Sequence, residues 1–138
     1  MAIGINDAMA NSQMDCLGTL LDGGFIDLYD GTLPANPEDP PDGTLLVSCQ
    51  LLSPAYGTAS GNAATGIPVI SGTAVATGVA QYAQQRNAAN TAWMYAVVTA
   101  TGGGGDLTID NGLASTAITS GQIVTVVTTT LTQLETCP

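Results

Sequence analysis

The sequence predicts a mainly β protein, an antiparallel β-sandwich or jelly-roll-like domain with one N-terminal α-helix. Three observations carry this. Roughly six to eight short strand-like segments are separated by Gly, Pro, Asn and Asp clusters, the punctuation of an all-β domain. Only one stretch, near the N-terminus, has helical periodicity. Composition supports both readings: 45% of the 138 residues are apolar and only 9% are charged. A chain of this length fits one domain, residues 1–138, and buries roughly 65–70% of the surface its unfolded form exposes, so it needs no metal to fold.

The elements follow in order. A helix is expected over residues 6–21. Asn6 or Asp7 can cap its start by accepting backbone N–H bonds. Met9, Cys16, Leu17, Leu20 and Leu21 form its apolar stripe, interrupted by Gln13. Asp22-Gly23-Gly24 ends it, since glycine tolerates the left-handed backbone that follows helices. Residues 25–29 read as a short strand turned by Asp30-Gly31. An acidic, proline-rich loop follows over residues 33–43, where Pro34, Pro37, Pro40 and Pro41 cannot enter a ladder and favour extended, solvated backbone. Residues 44–52 are the next strand, and Ser53-Pro54 stops it.

Residues 55–66 are rich in small residues, with Tyr56 as an anchor. A weakly alternating strand is expected over residues 73–82, its small side chains suggesting close approach to another layer. Residues 84–90 read as a polar turn holding Arg86. Residues 91–101 form a strong strand, and Gly102–Gly105 reads as a hairpin turn into residues 106–110. Asn111-Gly112 is a turn signal, and a long strand runs over residues 121–133.

The chemistry is bounded by what is missing. There is no histidine or lysine, and the one cation, Arg86, stands against 11 carboxylates for a net charge of −10. Most residue types that run acid–base chemistry, Schiff bases, metal sites and phosphate clamps are absent or too few. Serine hydrolysis lacks its base. The chain therefore reads as no enzyme, with no catalytic, cofactor-binding or metal-binding residues to assign. Its charge repels nucleic-acid phosphates and anionic membranes. No apolar run approaches the roughly 18–20 residues of a membrane span. Neither nucleic acid nor membrane is expected as a partner.

Four constellations are candidate sites. Gly102–Gly105 lacks the following Lys-Ser/Thr of a phosphate loop. The same stretch is one residue off a calcium-binding nonapeptide and occurs once, which leaves calcium through Asp106 and Asp110 a weak candidate. Asp27 and Asp30 could pair with a second carboxylate as in glycosidases, but such clefts usually also carry aromatic or basic residues to hold sugar. Trp93 and Tyr95 share one face of their strand opposite Met94. If Met94 is core, Trp93 and Tyr95 are a candidate subunit interface, with Arg86 either bridging an acidic patch nearby or solvated.

The cysteines, Cys16, Cys49 and Cys137, form no C-x-x-C. Their odd number leaves at least one thiol unpaired within a monomer. Cys137, the penultimate residue, is either inert or the donor of an intermolecular disulfide once an assembly meets an oxidising medium. The N-terminus lacks a basic n-region, and the chain reads as made and folded in a cytosol.

Several pieces recur in a fixed order: Leu-Leu-Asp-Gly-Gly-Phe-Ile-Asp-Leu-Tyr-Asp-Gly at residues 20–31, Asp-Gly-Thr-Leu-Leu-Val at 42–47, Pro-Ala-Tyr-Gly-Thr-Ala-Ser-Gly at 54–61, Val-Thr-Ala-Thr-Gly-Gly-Gly-Gly-Asp-Leu-Thr-Ile-Asp-Asn at 98–111, and Gly-Gln-Ile-Val-Thr-Val at 121–126. In this order they resemble the small virion structural proteins of tailed bacteriophages. The resemblance implies a non-catalytic β-sandwich in the virion. The expected role is a capsid decoration (cement) protein that forms a homo-oligomer and binds a larger shell such as the major capsid protein. The alternative is a neck, tail or fibre module contacting another virion protein or a host glycan. Residues 80–86 depart from the family's strand pattern, so no surface contact carries over.

Overall fold

The computed structural model describes residues 6–53, 55–58, 60, 63–65, 70–100, 107–110 and 115–132. Helix α1 spans Asp7–Leu20. Ten strands follow: β1 (Phe25–Tyr29), β2 (Leu45–Gln50), β3 (Ala63–Thr65), β4 (Ile70–Thr73), β5 (Gly78–Val79), β6 (Tyr82–Arg86), β7 (Trp93–Ala100), β8 (Leu107–Asp110), β9 (Ala117–Ile118) and β10 (Ile123–Thr132). The protein is mainly β with one helix near its N-terminus, as the sequence predicts.

The expected caps set the limits of α1. The Asn6 side chain accepts a hydrogen bond from the Met9 amide at 3.0 Å, and Asp7 places a negative charge in the first turn, where the helix dipole favours it. Gly23 then takes a left-handed φ of 68° and the Gly24 amide returns to the Leu21 carbonyl at 2.9 Å, which stops the helix. Asp22 secures this end by accepting from the Ala55 amide at 2.6 Å.

The large sheet has the order β2-β1-β6-β7-β8-β10-β3, with β4 also paired to β10. It curls until β4 approaches β2, giving a nearly closed barrel. There the Val75 amide donates to the Leu46 carbonyl at 2.8 Å. A Cβ on Gly72 would lie 2.5 Å from the Ser48 carbonyl oxygen, so the absence of a side chain permits this approach. A register shift between Leu28 and Tyr29 in the β1–β2 ladder accompanies the burial of both Leu46 and Val47 on consecutive positions. Strands β5 and β9 pair as a separate two-stranded piece.

Ile26 and Leu28 of β1, Val47 and Cys49 of β2, Ala83 of β6, Val98 of β7, Ile109 of β8 and Val124 and Val126 of β10 fill the interior, and Met14 and Leu21 pack on it from the helical side. Each fully buried large aliphatic contributes about 1.5–3 kcal/mol. Gln85 also points inward, where it is 4% exposed and accepts a 2.5 Å hydrogen bond from the Tyr56 hydroxyl. That bond offsets the cost of burying a carboxamide.

Three local expectations are corrected. Residues 73–82 are not one strand: they divide into the end of β4, the short β5 and the first residue of β6. Gln84, Gln85 and Arg86 do not turn the chain; they lie in β6, a central strand flanked by β1 and β7. The connection after β7 does not make a hairpin, because β7 and β8 pair in parallel with Val98 opposite Leu107. Every other ladder among the described residues is antiparallel.

Candidate functional site

Alternation along strands sends every second side chain to the face away from the core. In β1 these are Phe25, Asp27 and Tyr29; in β6, Tyr82, Gln84 and Arg86; in β7, Trp93 and Tyr95. The register sets Asp27 beside Gln84 and Gln84 beside Tyr95. One face thus collects the only Trp, the only Phe, the only cation and three of the four tyrosines of the chain.

The centre of this face is an ion pair. Arg86 Nε donates to Asp27 Oδ2 at 2.7 Å, with the two side chains 21% and 4% exposed. Ser48 Oγ donates to the other carboxylate oxygen at 2.5 Å. The guanidinium carbon lies 4.4 Å from the centre of the Phe25 ring, within cation–π range. Asp27 therefore has a partner for each oxygen, as a buried carboxylate requires.

The tyrosines form a row. Tyr29 and Tyr82 stack with centroids 5.4 Å apart, and Tyr82 meets Tyr95 edge-on at 5.7 Å. Burial is the first cause that raises the pKa of all three. The Asp27 charge adds to it at Tyr29 and the Asp39 charge at Tyr95. Their hydroxyls stay neutral, and able to donate, well into alkaline solution.

The proline-rich loop folds over this row. Its neck is drawn tight where the backbones of Gly31 and Gly43 touch, and Gly43 has a φ of 89° that favours glycine. Asp30 Oδ1 accepts from the Thr44 amide at 2.7 Å, and Asp42 Oδ2 accepts from the Thr32 amide at 3.2 Å. The Tyr82 hydroxyl accepts from the Asp42 amide at 2.6 Å and donates to the Asp42 carbonyl at 2.5 Å. Further out, Trp93 Nε1 donates to the Pro37 carbonyl at 2.8 Å, and the Tyr95 hydroxyl donates to the Asp39 carbonyl at 2.7 Å. The loop is exposed, but five side chains hold it.

Between loop and sheet lies a cleft of about 440 Å³, lined by Asp27, Tyr29, Pro40, Pro41, Leu45, Gln84, Arg86, Asn90 and Trp93. Gln84 is 4% exposed. Its carboxamide makes no hydrogen bond among the described residues, unlike that of its neighbour Gln85. Leaving a buried polar group unmatched costs about 1–3 kcal/mol. Asn90 stands at the mouth with a φ of 56°, on a turn whose geometry is set by Asn87 accepting from the Thr91 and Ala92 amides.

Trp93, Tyr95 and Arg86 are brought together here. Met94 packs against the core opposite them, and the chain's own loop covers part of the face that carries Trp93 and Tyr95. Arg86 takes the bridging alternative, with Asp27. Asp27 and Asp30 separate into different tasks, an ion pair and a loop neck. Cys137, Asp106 and Gly102–Gly105 lie outside the described residues. Cys16 is exposed and Cys49 buried, both as free thiols, and no disulfide occurs among the described residues. Burial, then the nearby Asp27 charge, pushes the Cys49 thiol up to about 11. No group of three potential ligands among the described residues is placed to hold a metal ion.

Gln84, Tyr29, Tyr82 and Asn90 belong to the site and were not expected in it. The alternation of Tyr82, Gln84 and Arg86 was their one signal, hidden by the polar character of residues 84–90. Comparison with family models, curated proteins and solved structures finds no match to this chain.

Proposed function

We propose that this chain is a non-enzymatic structural protein that self-associates through α1, in the setting of a tailed-phage virion and most simply as a capsid decoration protein on a larger shell. One observation carries the self-association. Met9, Gln13, Cys16 and Leu20 follow one another at spacings of four, three and four residues, the a/d seam of a two-helix contact. Met9 is 55% exposed and Leu20 49%, and Cys16 is exposed as well. Gln13, Cys16 and Leu20, with Leu17 and Thr19, border a shallow, largely apolar groove of about 480 Å³. The barrel covers the adjoining stripe, Ala10, Met14 and Leu21, and leaves the seam bare.

A seam of this kind packs on another helix. The described residues contain one helix, so a second copy supplies the partner. The seam itself carries no charge, and this lets two copies of an acidic chain meet along it. Gln13 at an a-type position fixes the register at some cost in stability. The proline loop is the weaker docking element, because its inner side is already held by Tyr82, Trp93 and Tyr95. The virion setting rests on the sequence resemblance.

Cross-linking tests the contact. In a Cys137→Ser background, Cys16 is the accessible thiol and Cys49 is buried. A short bismaleimide should then join two copies in good yield, and Leu20→Glu should abolish the product. Failure of wild-type and variant alike to cross-link at high concentration would refute the helix contact. Co-sedimentation with capsids assembled without it tests the shell.

A further inference from the structure

We infer that the cleft beneath the proline loop binds a neutral pyranose sugar, as a free hexose or the terminal residue of a glycan. The reading is independent of assembly through α1, which lies on a different element.

Size permits it, since about 440 Å³ falls within the range of small-ligand sites. Electrostatics select against ions. The chain carries a net charge of −10 and its only cation is matched by Asp27, so an anion finds no free positive charge. A cation would have to displace Arg86 from a buried carboxylate. A neutral ligand needs neither.

The polar groups suit vicinal hydroxyls. Gln84 presents a donor and an acceptor side by side, nine-tenths buried and without a hydrogen bond among the described residues. The terminal nitrogens of Arg86 remain as donors, because only Nε is used by Asp27. Asn90 adds a second carboxamide at the mouth. A sugar hydroxyl both gives and accepts, and an adjacent pair answers a carboxamide or a guanidinium in two places at once. The apolar walls, Tyr29, Trp93, Pro40 and Pro41, suit the C–H face of a pyranose ring. A peptide amide would also answer Gln84. The loop's bonds to Trp93 and Tyr95, however, close the β7 side, which favours a compact ligand over an extended chain.

Trp93 is the only tryptophan and lines the cleft, so its fluorescence reports occupancy directly. The probes are glucose, galactose, mannose, rhamnose and N-acetylglucosamine at millimolar concentration, with N-acetylglycine amide as the peptide control. At least one sugar should shift the emission saturably. Gln84→Leu, close in shape but without the carboxamide, should weaken that sugar by about tenfold or more. It should melt at or above the wild-type temperature, which separates lost recognition from lost folding. No saturable shift with any sugar would overturn the proposal. So would undiminished sugar binding by Gln84→Leu, or binding of the amide probe alone, which would make the cleft a peptide site.

Discussion

Arg86 Nε lies 2.7 Å from Asp27 Oδ2 across the β1–β6 pair, so the one cation of the chain neutralises its most deeply buried carboxylate among the described residues. Arg86 also covers Phe25 and borders the cleft, linking the packing of two central strands to the site above them.

Arg86→Met removes the cation and leaves Asp27 with Ser48 alone. Breaking one side of a buried pair should cost about 3 kcal/mol. Asp27→Leu combined with Arg86→Met should recover most of that, because no unpaired charge remains. Urea denaturation of the single and double variants checks both values, and a double variant as unstable as the single one would contradict the account.

Tyr82→Phe deletes the hydroxyl that both accepts from and donates to the backbone of Asp42. The expected loss is about 1–2 kcal/mol, for two bonds at one atom. The distinctive readout is local: the Asp42 amide should exchange with solvent much faster, and proteases should cut the loop at residues 33–41 sooner.

Alkaline stability follows from the raised thiol and phenols. Burial pushes the Cys49 thiol up to about 11 in the folded protein, against 9.0 for an exposed thiol. Above pH 9 the unfolded chain has released a proton that the folded chain retains, so the folded state loses ground as pH rises. Stability from this group is complete below about pH 9 and is lost progressively towards pH 11. Tyr29, Tyr82 and Tyr95 act in the same direction above pH 10. Denaturation midpoints from pH 8 to 11 should fall, and Cys49→Ala should flatten the first part of the fall. Cys16 should react with a thiol reagent at pH 8 while Cys49 does not.

Gly72→Ala places a methyl group against the Ser48 carbonyl where β4 crosses β2. Overpacking at such a contact costs about 1–3 kcal/mol. A variant as stable as the wild type would mean that the approach of β4 to β2 is looser than described.

The helix and β1 were legible because their signals are local: a side-chain cap at Asn6, glycines at 23 and 24, and a short run of alternating residues bounded by Asp30-Gly31. The class followed from turn spacing. Strand β6 was not legible, since Gln84, Gln85 and Arg86 look like a solvated turn. The burial of Gln85 and Arg86 is made possible by partners distant in sequence, Tyr56 for Gln85 and Asp27 for Arg86, and tertiary context overrode local preference. The same distance hid the site. Four prolines in a row of short steps predict a solvated loop, and nothing nearby says that Trp93 and Tyr95, more than fifty residues on, bond its carbonyls. The parallel pairing of β7 with β8 escaped for a related reason, because a glycine run states that the chain bends without stating where it returns.

Light scattering on the eluting protein, for wild type and Leu20→Glu at several concentrations with reductant present, tests the central claim most directly. The account predicts a wild-type dimer or larger oligomer that dissociates on dilution, and a Leu20→Glu variant that is monomeric with an unchanged circular dichroism spectrum. A wild-type protein that is monomeric at every concentration, or a variant with the wild-type mass, would contradict it.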